Sequence, residues 1–427
     1  MPILSRIVTR RSLAAALAAV AAVLSGAPAA QAADRADLQS THLISRALDG
    51  GVPNGPSTNA VISNDRRWAR VIAFESEASD LVPGDVNGVK DVFAVLRGGT
   101  MTNFGPPWHA RKTILVSRTR TGEPANGPSF GAAVGGGYKH RPRCVAFLSA
   151  ASNLVSGDTN GTVDAFVFGL RRQRVTRLML PRRVQTIADV SAVAASGDCK
   201  RFAFVTEGRL YVRTTKRVGK KRKRRTRTKT RMLRVTGVAA DPSFSTGLRS
   251  DLVFGADAGV YLSKRAWGRP RLIAPGGRNP AYNDIKRRVV AYEVNRDGRW
   301  QIGYHDLGRP EKLISHRRGT AGNGDSRDPV IGNSGYYVTF ESDAANLGVN
   351  ALSRAGDFNG RADTYLYTNV RDITLVQSVE EKAEPLPGGG QNPSMSFYAN
   401  YILFDSPAPL GSLTGAHQVY MRYLGPV

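Results

Sequence analysis

Val71 to Phe93 reads VIAFESEASDLVPGDVNGVKDVF, and Val145 to Phe166 returns as VAFLSAASNLVSGDTNGTVDAF. A third copy runs from Val338 to Tyr365, where VTFESDAANL and GDFNGRADTY stand apart across an insertion. Each copy has the same order: an apolar run ending in Phe-x-Ser, an Ala-x-x-Leu turn, a Gly-Asp-x-Asn-Gly loop closed by a later Asp, then a second apolar run. A long unit that recurs within one chain sets the fold before any local reading does.

Looser units fill the spaces between these copies. Their starts fall near Ser57, Pro128, Ala188, Asp241, Asn279, Asp328 and Asn392. Second strands read RVIAFES, CVAFLSA, RFAFVTE, SDLVFGA, RVVAYEV, YVTFESD and YILFDSP, and third strands read DVFAVL, DAFVFGL, GRLYVRT, AGVYLSK, WQIGYHD, DTYLYTN and HQVYMRY. Short alternating runs between Gly, Asp, Asn and Pro turns are half-buried strands. In the first unit a fourth strand, TILVSR, begins at Thr113, so each unit predicts one four-stranded antiparallel blade of an all-β propeller. Thr41 to Ser57 (THLISRALDGGVPNGPS) matches Thr113 to Ser129 (TILVSRTRTGEPANGPS), so Thr41–Arg46 is a fourth strand without its first three. The last unit supplies three strands and stops. The N-terminal strand is therefore expected to complete the C-terminal blade and remove an exposed edge. Seven blades is the reading, with six as the alternative if the weak unit at Asp241 to Gly277 fails.

These residues resemble the TolB-type, WD40-like (PD40) β-propeller repeat proteins of bacteria in their exported form. The resemblance covers nearly all of Thr41 to Tyr423, carried by the VAFxSxAxNLVxGDxNGxxDVF pattern of the first, second and sixth units. It implies a propeller with a binding or scaffolding role, and no single activity. TolB has a further N-terminal domain for which this chain has no room, so its envelope-transport role is not carried over.

The chain holds 427 residues with 60 Lys and Arg against 34 Asp and Glu, a net charge of +26. At its start, Arg6, Arg10 and Arg11 precede the apolar run Ser12 to Ser25 and the small-x-small site Ala30-Gln31-Ala32. That order predicts a cleaved signal peptide over residues 1–32 and one propeller domain over 33–427. Thr9-Arg10-Arg11-Ser12-Leu13 also resembles a twin-arginine signal, so the export route is Sec or twin-arginine. Nothing approaches the roughly 20 apolar residues of a transmembrane anchor, and a monomer in the extracellular, cell-wall or periplasmic space is expected. The two cysteines, Cys144 and Cys199, sit at and just before second strands of adjacent units. Two readings stand: a disulfide between blades, as an oxidising compartment permits, or two independent buried thiols.

Three loops bring oxygen ligands together: Asp85, Asn87 and Asp91; Asp158, Asn160 and Asp164; Asp357, Asn359 and Asp363. Two carboxylates and an amide oxygen at positions 1, 3 and 7 suit Ca²⁺, although the distal bidentate Glu of an EF-hand is missing. The other reading is an Asx-turn in which these side chains cap their own backbone. Residues 216–231 form a basic insertion, read as an exposed hairpin loop, with Lys220, Lys221, Arg222, Lys223, Arg224 and Arg225 as candidate anion-binding residues. Such a run attracts acidic polymers or surfaces. No aromatic residue interleaves it, which argues against sequence-specific nucleic-acid recognition. The other reading is a solvated insertion.

No nucleophile elbow, zinc motif or paired His appears, and no catalytic residue is assigned. Glu75, Glu293 and Glu341 follow inner-strand aromatics at equivalent positions, where they could reach the channel or bond a neighbouring blade; the recurrent Phe-Glu-Ser context favours the bond. His42 and His417 are expected as neighbours in the closing blade. The function these features suggest is an exported, non-catalytic binding or scaffold module for a protein or acidic polymer of the envelope. The alternative is a propeller lyase or hydrolase with its site at the channel mouth.

Overall fold

The computed structural model describes residues 40–98, 108–180, 188–219, 225–247, 249–332, 335–348, 357, 359–379, 385–410, 412 and 414–425. They belong to one compact unit, Gln39–Val427. The expected signal segment lies outside the described residues. Among those described, no helix is long and apolar enough to cross a membrane.

Seven four-stranded antiparallel sheets follow one another along the chain. Six are built from consecutive strands, with innermost strands at Ser57–Ile62, Ser129–Val134, Val190–Ala195, Ala240–Phe244, Gly277–Asn283 and Ser326–Gly332. The seventh joins Gln391–Met395, Tyr401–Pro407 and His417–Tyr423 to Thr41–Leu43. Thr41 pairs with Arg422 and Leu43 with Tyr420, so the chain's first strand closes the ring as expected. This closing strand stops at Leu43 rather than Arg46, although Ile44 still donates its N–H to Val419 at 2.8 Å. The weak fourth unit is a complete blade, and the count is seven.

One packing rule repeats around the ring. The aromatic of the second strand sits directly opposite an aromatic of the third: Phe74 with Phe93, Phe147 with Phe166, Phe204 with Tyr211, Phe254 with Tyr261, Phe340 with Tyr365, Phe404 with Tyr420. The rings stack at centroid separations from 5.7 to 6.2 Å, which adds a specific contact to the buried area. The fifth blade breaks the rule. Tyr292 there faces Gly303, where a Cβ would lie 2.8 Å from the Tyr292 ring. A single large ring fills the space that two share elsewhere.

The basic run departs from the expected loop. Arg209–Val218 and Arg225–Leu233 pair continuously from Leu210 with Leu233 to Val218 with Arg225. Residues 216–218 and 225–231 of the insertion thus belong to two paired strands of the third blade, and Arg225–Leu233 is its outermost strand. The reason is visible in RTRTKTR: Thr alternates with a cation, and Thr favours strands.

Candidate functional site

The innermost strands line a central cavity of about 1090 Å³. Each is interrupted at the same place. The register to the second strand slips between Thr58 and Val61, Phe130 and Ala133, Arg278 and Ala281, Arg327 and Val330, and Gln391 and Ser394, with similar slips in the third and fourth blades. At these bulges Asn59, Gly131, Asp241, Asn279, Asp328 and Asn392 take φ between 45° and 63°. Asn, Asp and Gly are the residues that tolerate this left-handed backbone. In four blades proline follows directly, at Pro242, Pro280, Pro329 and Pro393, as bulges and free strand edges allow.

A bulge leaves a backbone N–H without a ladder partner, and carboxylates of the preceding blade accept it. Glu75 Oε1 accepts from Gly131 at 2.8 Å, Glu293 Oε1 from Asp328 at 2.9 Å, Glu341 Oε2 from Asn392 at 2.9 Å and Asp405 Oδ2 from Asn59 at 2.8 Å. In the fourth blade Gly255 has no side chain for this, and the Asp241 carboxylate lies close enough to the Asn279 N–H to be favoured by it in its charged form. The inter-blade bond expected for Glu75 and Glu341 from their Phe-Glu-Ser context is therefore what they make, and Glu293 makes it as well. Asp405 belongs to the same set and was missed by the sequence reading. Its signal was Phe404-Asp405-Ser406, the acidic equivalent of Phe-Glu-Ser.

The cavity wall is acidic in a basic protein. Glu75, Glu77, Asp241 and Asp328 line it against the single cation Lys90. Burial pushes Asp241, Asp328 and Glu341 upward, and neighbouring carboxylates add to the shift. Asp405, fully buried, is pushed up to about 8 by burial; Glu75 and Glu341 add to that, and the Asn59 N–H and Asn392 amide oppose it. The two histidines are not neighbours. His42 pairs with Met421, whereas His417 pairs with Pro407 at the other end of the strand.

The three Asp-x-Asn loops are wired internally. Asn87 Oδ1 accepts from the Val89 N–H at 3.2 Å, while Asn87 Nδ2 donates to Asp91 and to the Ala125 carbonyl. Asn359 repeats this with Arg361, Asp363 and the Leu386 carbonyl at 2.7, 2.7 and 2.8 Å. Asp91 and Asp363 also accept from Ser117 and Ser378. In the second blade Arg177 bridges the carboxylates, at 3.0 Å from Asp158 and 2.5 Å from Asp164, and Asn160 Nδ2 donates to Thr162. These are the bonds of Asx-turns. A Ca²⁺ site would need the amide oxygen turned toward the carboxylates, whereas in the first and third loops the amide N–H faces them and in the second Arg177 sits on them. Among the described residues no group of three or more His, Cys, Asp or Glu could hold a metal ion. The loop residues present thus do not fit the ion. Burial pushes Asp91 up to about 7 and Asp363 up to about 8, and the nearby Asp357 contributes to the latter.

Cys144 and Cys199 form a disulfide, Sγ to Sγ 2.11 Å, between the second and third blades. Gly135 makes room for it, since a Cβ there would lie 2.2 Å from the Cys199 sulfur.

Strand alternation sorts the basic run into faces. Arg225, Arg227, Lys229 and Arg231 point one way, with Lys216 opposite Arg227, while Thr226, Thr228 and Thr230 point the other. On the threonine side, Thr230 donates to the Met179 carbonyl at 3.2 Å. On the cationic side lies Trp267 of the fourth blade, with the Arg231 guanidinium 4.9 Å from its ring centroid. Of the six residues singled out from sequence, Lys220, Lys221, Arg222, Lys223 and Arg224 lie outside the described residues, and Arg225 begins the outermost strand. Trp267 was invisible from the run itself because it comes from another blade.

This architecture is a seven-bladed β-propeller. No family model matches the chain, and no curated protein matches it. Among solved structures it is similar to the β-propeller domain of the Trilobed protease from Pyrococcus furiosus, at 7% identity over 86% of this chain and 95% of that one, TM-score 0.44. It is also similar to the WD40 domain of SCAP from fission yeast, at 8% identity over 90% and 98%, TM-score 0.44. Pyrococcus horikoshii acylaminoacyl peptidase matches at 10% identity over 86% of this chain but 51% of its own, TM-score 0.44.

Proposed function

We propose that this is an exported, non-catalytic propeller of the TolB-type, PD40-repeat kind, which binds an acidic polymer or acidic protein surface of the cell envelope. The observation that carries the reading is the cationic strand face. Lys216, Arg225, Arg227, Lys229 and Arg231 share one side of a sheet, and among the described residues none forms an ion pair with a carboxylate. Opposite charges along a rigid scaffold steer and hold a polyanion. The Cys144–Cys199 bridge suits an oxidising compartment, as do the signal features of residues 1–32. The test is expression of the full chain in a bacterial host. The exported protein is expected to begin at Ala33 by mass spectrometry and to co-sediment with envelope polymer until salt releases it. Retention in the cytoplasm with residues 1–32 intact would sink the export reading. Loss of sedimentation only when the five cations are changed to Ser would support the binding reading.

A second reading, an enzyme working at the channel, has Asp241 and Asp328 in its favour. Both line the large cavity with raised proton affinity, a property shared with catalytic acids. Hydrolase or lyase turnover abolished by Asp328→Asn would favour it.

A further inference from the structure

We propose that the groove between the cationic strand face and Trp267 binds the phosphate diesters of a base-free, linear polyol-phosphate polymer. This rests on the acidic-polymer reading above and narrows its chemistry. Two pockets, of about 390 and 520 Å³, share Arg231 and Trp267 as walls. Lys216, Arg227 and Lys229 line the first, and Arg234 and Arg269 line the second, so a chain crossing Trp267 meets cations on both sides.

The spacing favours a single extended strand of charge. Arg225, Arg227, Lys229 and Arg231 stand at alternate positions of one β-strand, hence about 6.8 Å apart and in single file. A phosphodiester chain places one full negative charge per repeat along one line, and guanidinium groups match phosphate oxygens bidentately. The indole serves as a wall of both pockets. Trp267 Nε1 is buried and finds no hydrogen-bond partner among the described residues. That N–H is shielded from the groove, so the cations alone offer bonds to a ligand there.

The same tryptophan argues against stacked ligands. Its ring is covered by Arg231 and packs against the hydrophobic cluster of the third and fourth blades. Nucleobases need a free aromatic face in a single-strand groove, and sugar rings that stack on aromatics need the same. What remains on offer is a line of cations, which suits phosphates joined by small flexible polyols.

The experiment uses the full-length exported protein, titrated at several salt concentrations with four probes: synthetic poly(glycerol phosphate), oligo(dT), polygalacturonate and phosphatidylglycerol vesicles. Poly(glycerol phosphate) is expected to bind tightest, with log K falling against log salt at a slope of about −3, as four to five neutralised phosphates on a single strand imply. Arg227→Ser should flatten that slope by about 0.7. Trp267→Phe, which keeps a ring beneath Arg231, should leave the slope unchanged, because no cation is lost. Tighter binding of oligo(dT), or of vesicles, overturns the base-free polymer. Preference for polygalacturonate overturns the phosphate inference but leaves the acidic-polymer reading standing. If no probe binds better to the native protein than to the five-cation Ser variant, both are overturned.

Discussion

Glu75 Oε1 lies 2.8 Å from the amide nitrogen of Gly131, so the second strand of the first blade holds the bulge of the next. The same carboxylate accepts from Asn59 Nδ2 at 3.1 Å. Glu75→Ala leaves both donors without their acceptor and is expected to destabilise the fold by about 2–3 kcal/mol in urea unfolding. Glu75→Gln keeps an acceptor oxygen and should cost less. Equal losses for the two would mean that the side chain's packing matters, not its bond to Gly131.

Stability should fall as pH rises. Burial pushes Asp91, Asp363 and Asp405 up to about 7, 8 and 8 in the folded protein, above the ordinary carboxylate value of 3.8. In this window the folded state binds more protons than the unfolded chain, so the contribution is complete below about pH 4 and is lost on the way to pH 8. Each group adds at most about 1.4 kcal/mol per pH unit. Asp405→Asn should flatten the slope between pH 6 and 8 in denaturant melts. A slope identical to the native protein's would place Asp405 in a far wetter site than its full burial indicates.

The Cys144–Cys199 bridge closes a loop with a sequence separation of 55. Chain-entropy arguments give about 4 kcal/mol for such a loop. Reductant should lower the melting temperature of the native protein and leave Cys199→Ser unmoved. Gly135→Ala places a methyl 2.2 Å from the Cys199 sulfur. It should destabilise by about 1–3 kcal/mol as overpacking does, and by less in the Cys199→Ala background. Additive losses would show that the two sites do not touch.

Deleting residues 40–46 removes the closing strand and uncovers the edge of His417–Tyr423, together with the Ser45 Oγ bond to Gln418 at 2.8 Å. Unfolding is expected to lose its single cooperative transition, because closure ties the last blade to the first. Deleting only residues 219–224 should leave the melt unchanged, since every pair of the ladder from Leu210 with Leu233 to Val218 with Arg225 is retained.

Ca²⁺ is expected to leave the melting temperature where chelator puts it. Asn87 and Asn359 turn their N–H groups, not their oxygens, toward the loop carboxylates. A rise with Ca²⁺ concentration would show that the amides flip to accept an ion, since a native-state ligand stabilises by mass action.

Most of the propeller was legible in the chain because its signals are local. Phe-x-Ser at the end of each strong second strand and matched Thr-x-Leu-x-Ser-Arg segments at residues 41 and 113 are sequence facts, and a strand's alternation and a repeat's period need no partner to be seen. The roles of Glu75 and Glu341 were readable for the same reason. The alternation of Arg and Thr over residues 225–231 was equally local and marks a strand, yet density of charge suggested a loop.

Tertiary structure alone decided what the exceptions do. Gly255 leaves the fourth blade without the inter-blade carboxylate, and Arg177 supplies the cation that one Asp loop uses. Trp267 reaches the cationic face from a different blade, and Gly135 yields its place to a disulfide between two others. Each depends on distances between residues far apart in sequence. Periodicity fixes which way a side chain points within its own strand, while the packing of blades around the ring fixes what it meets there.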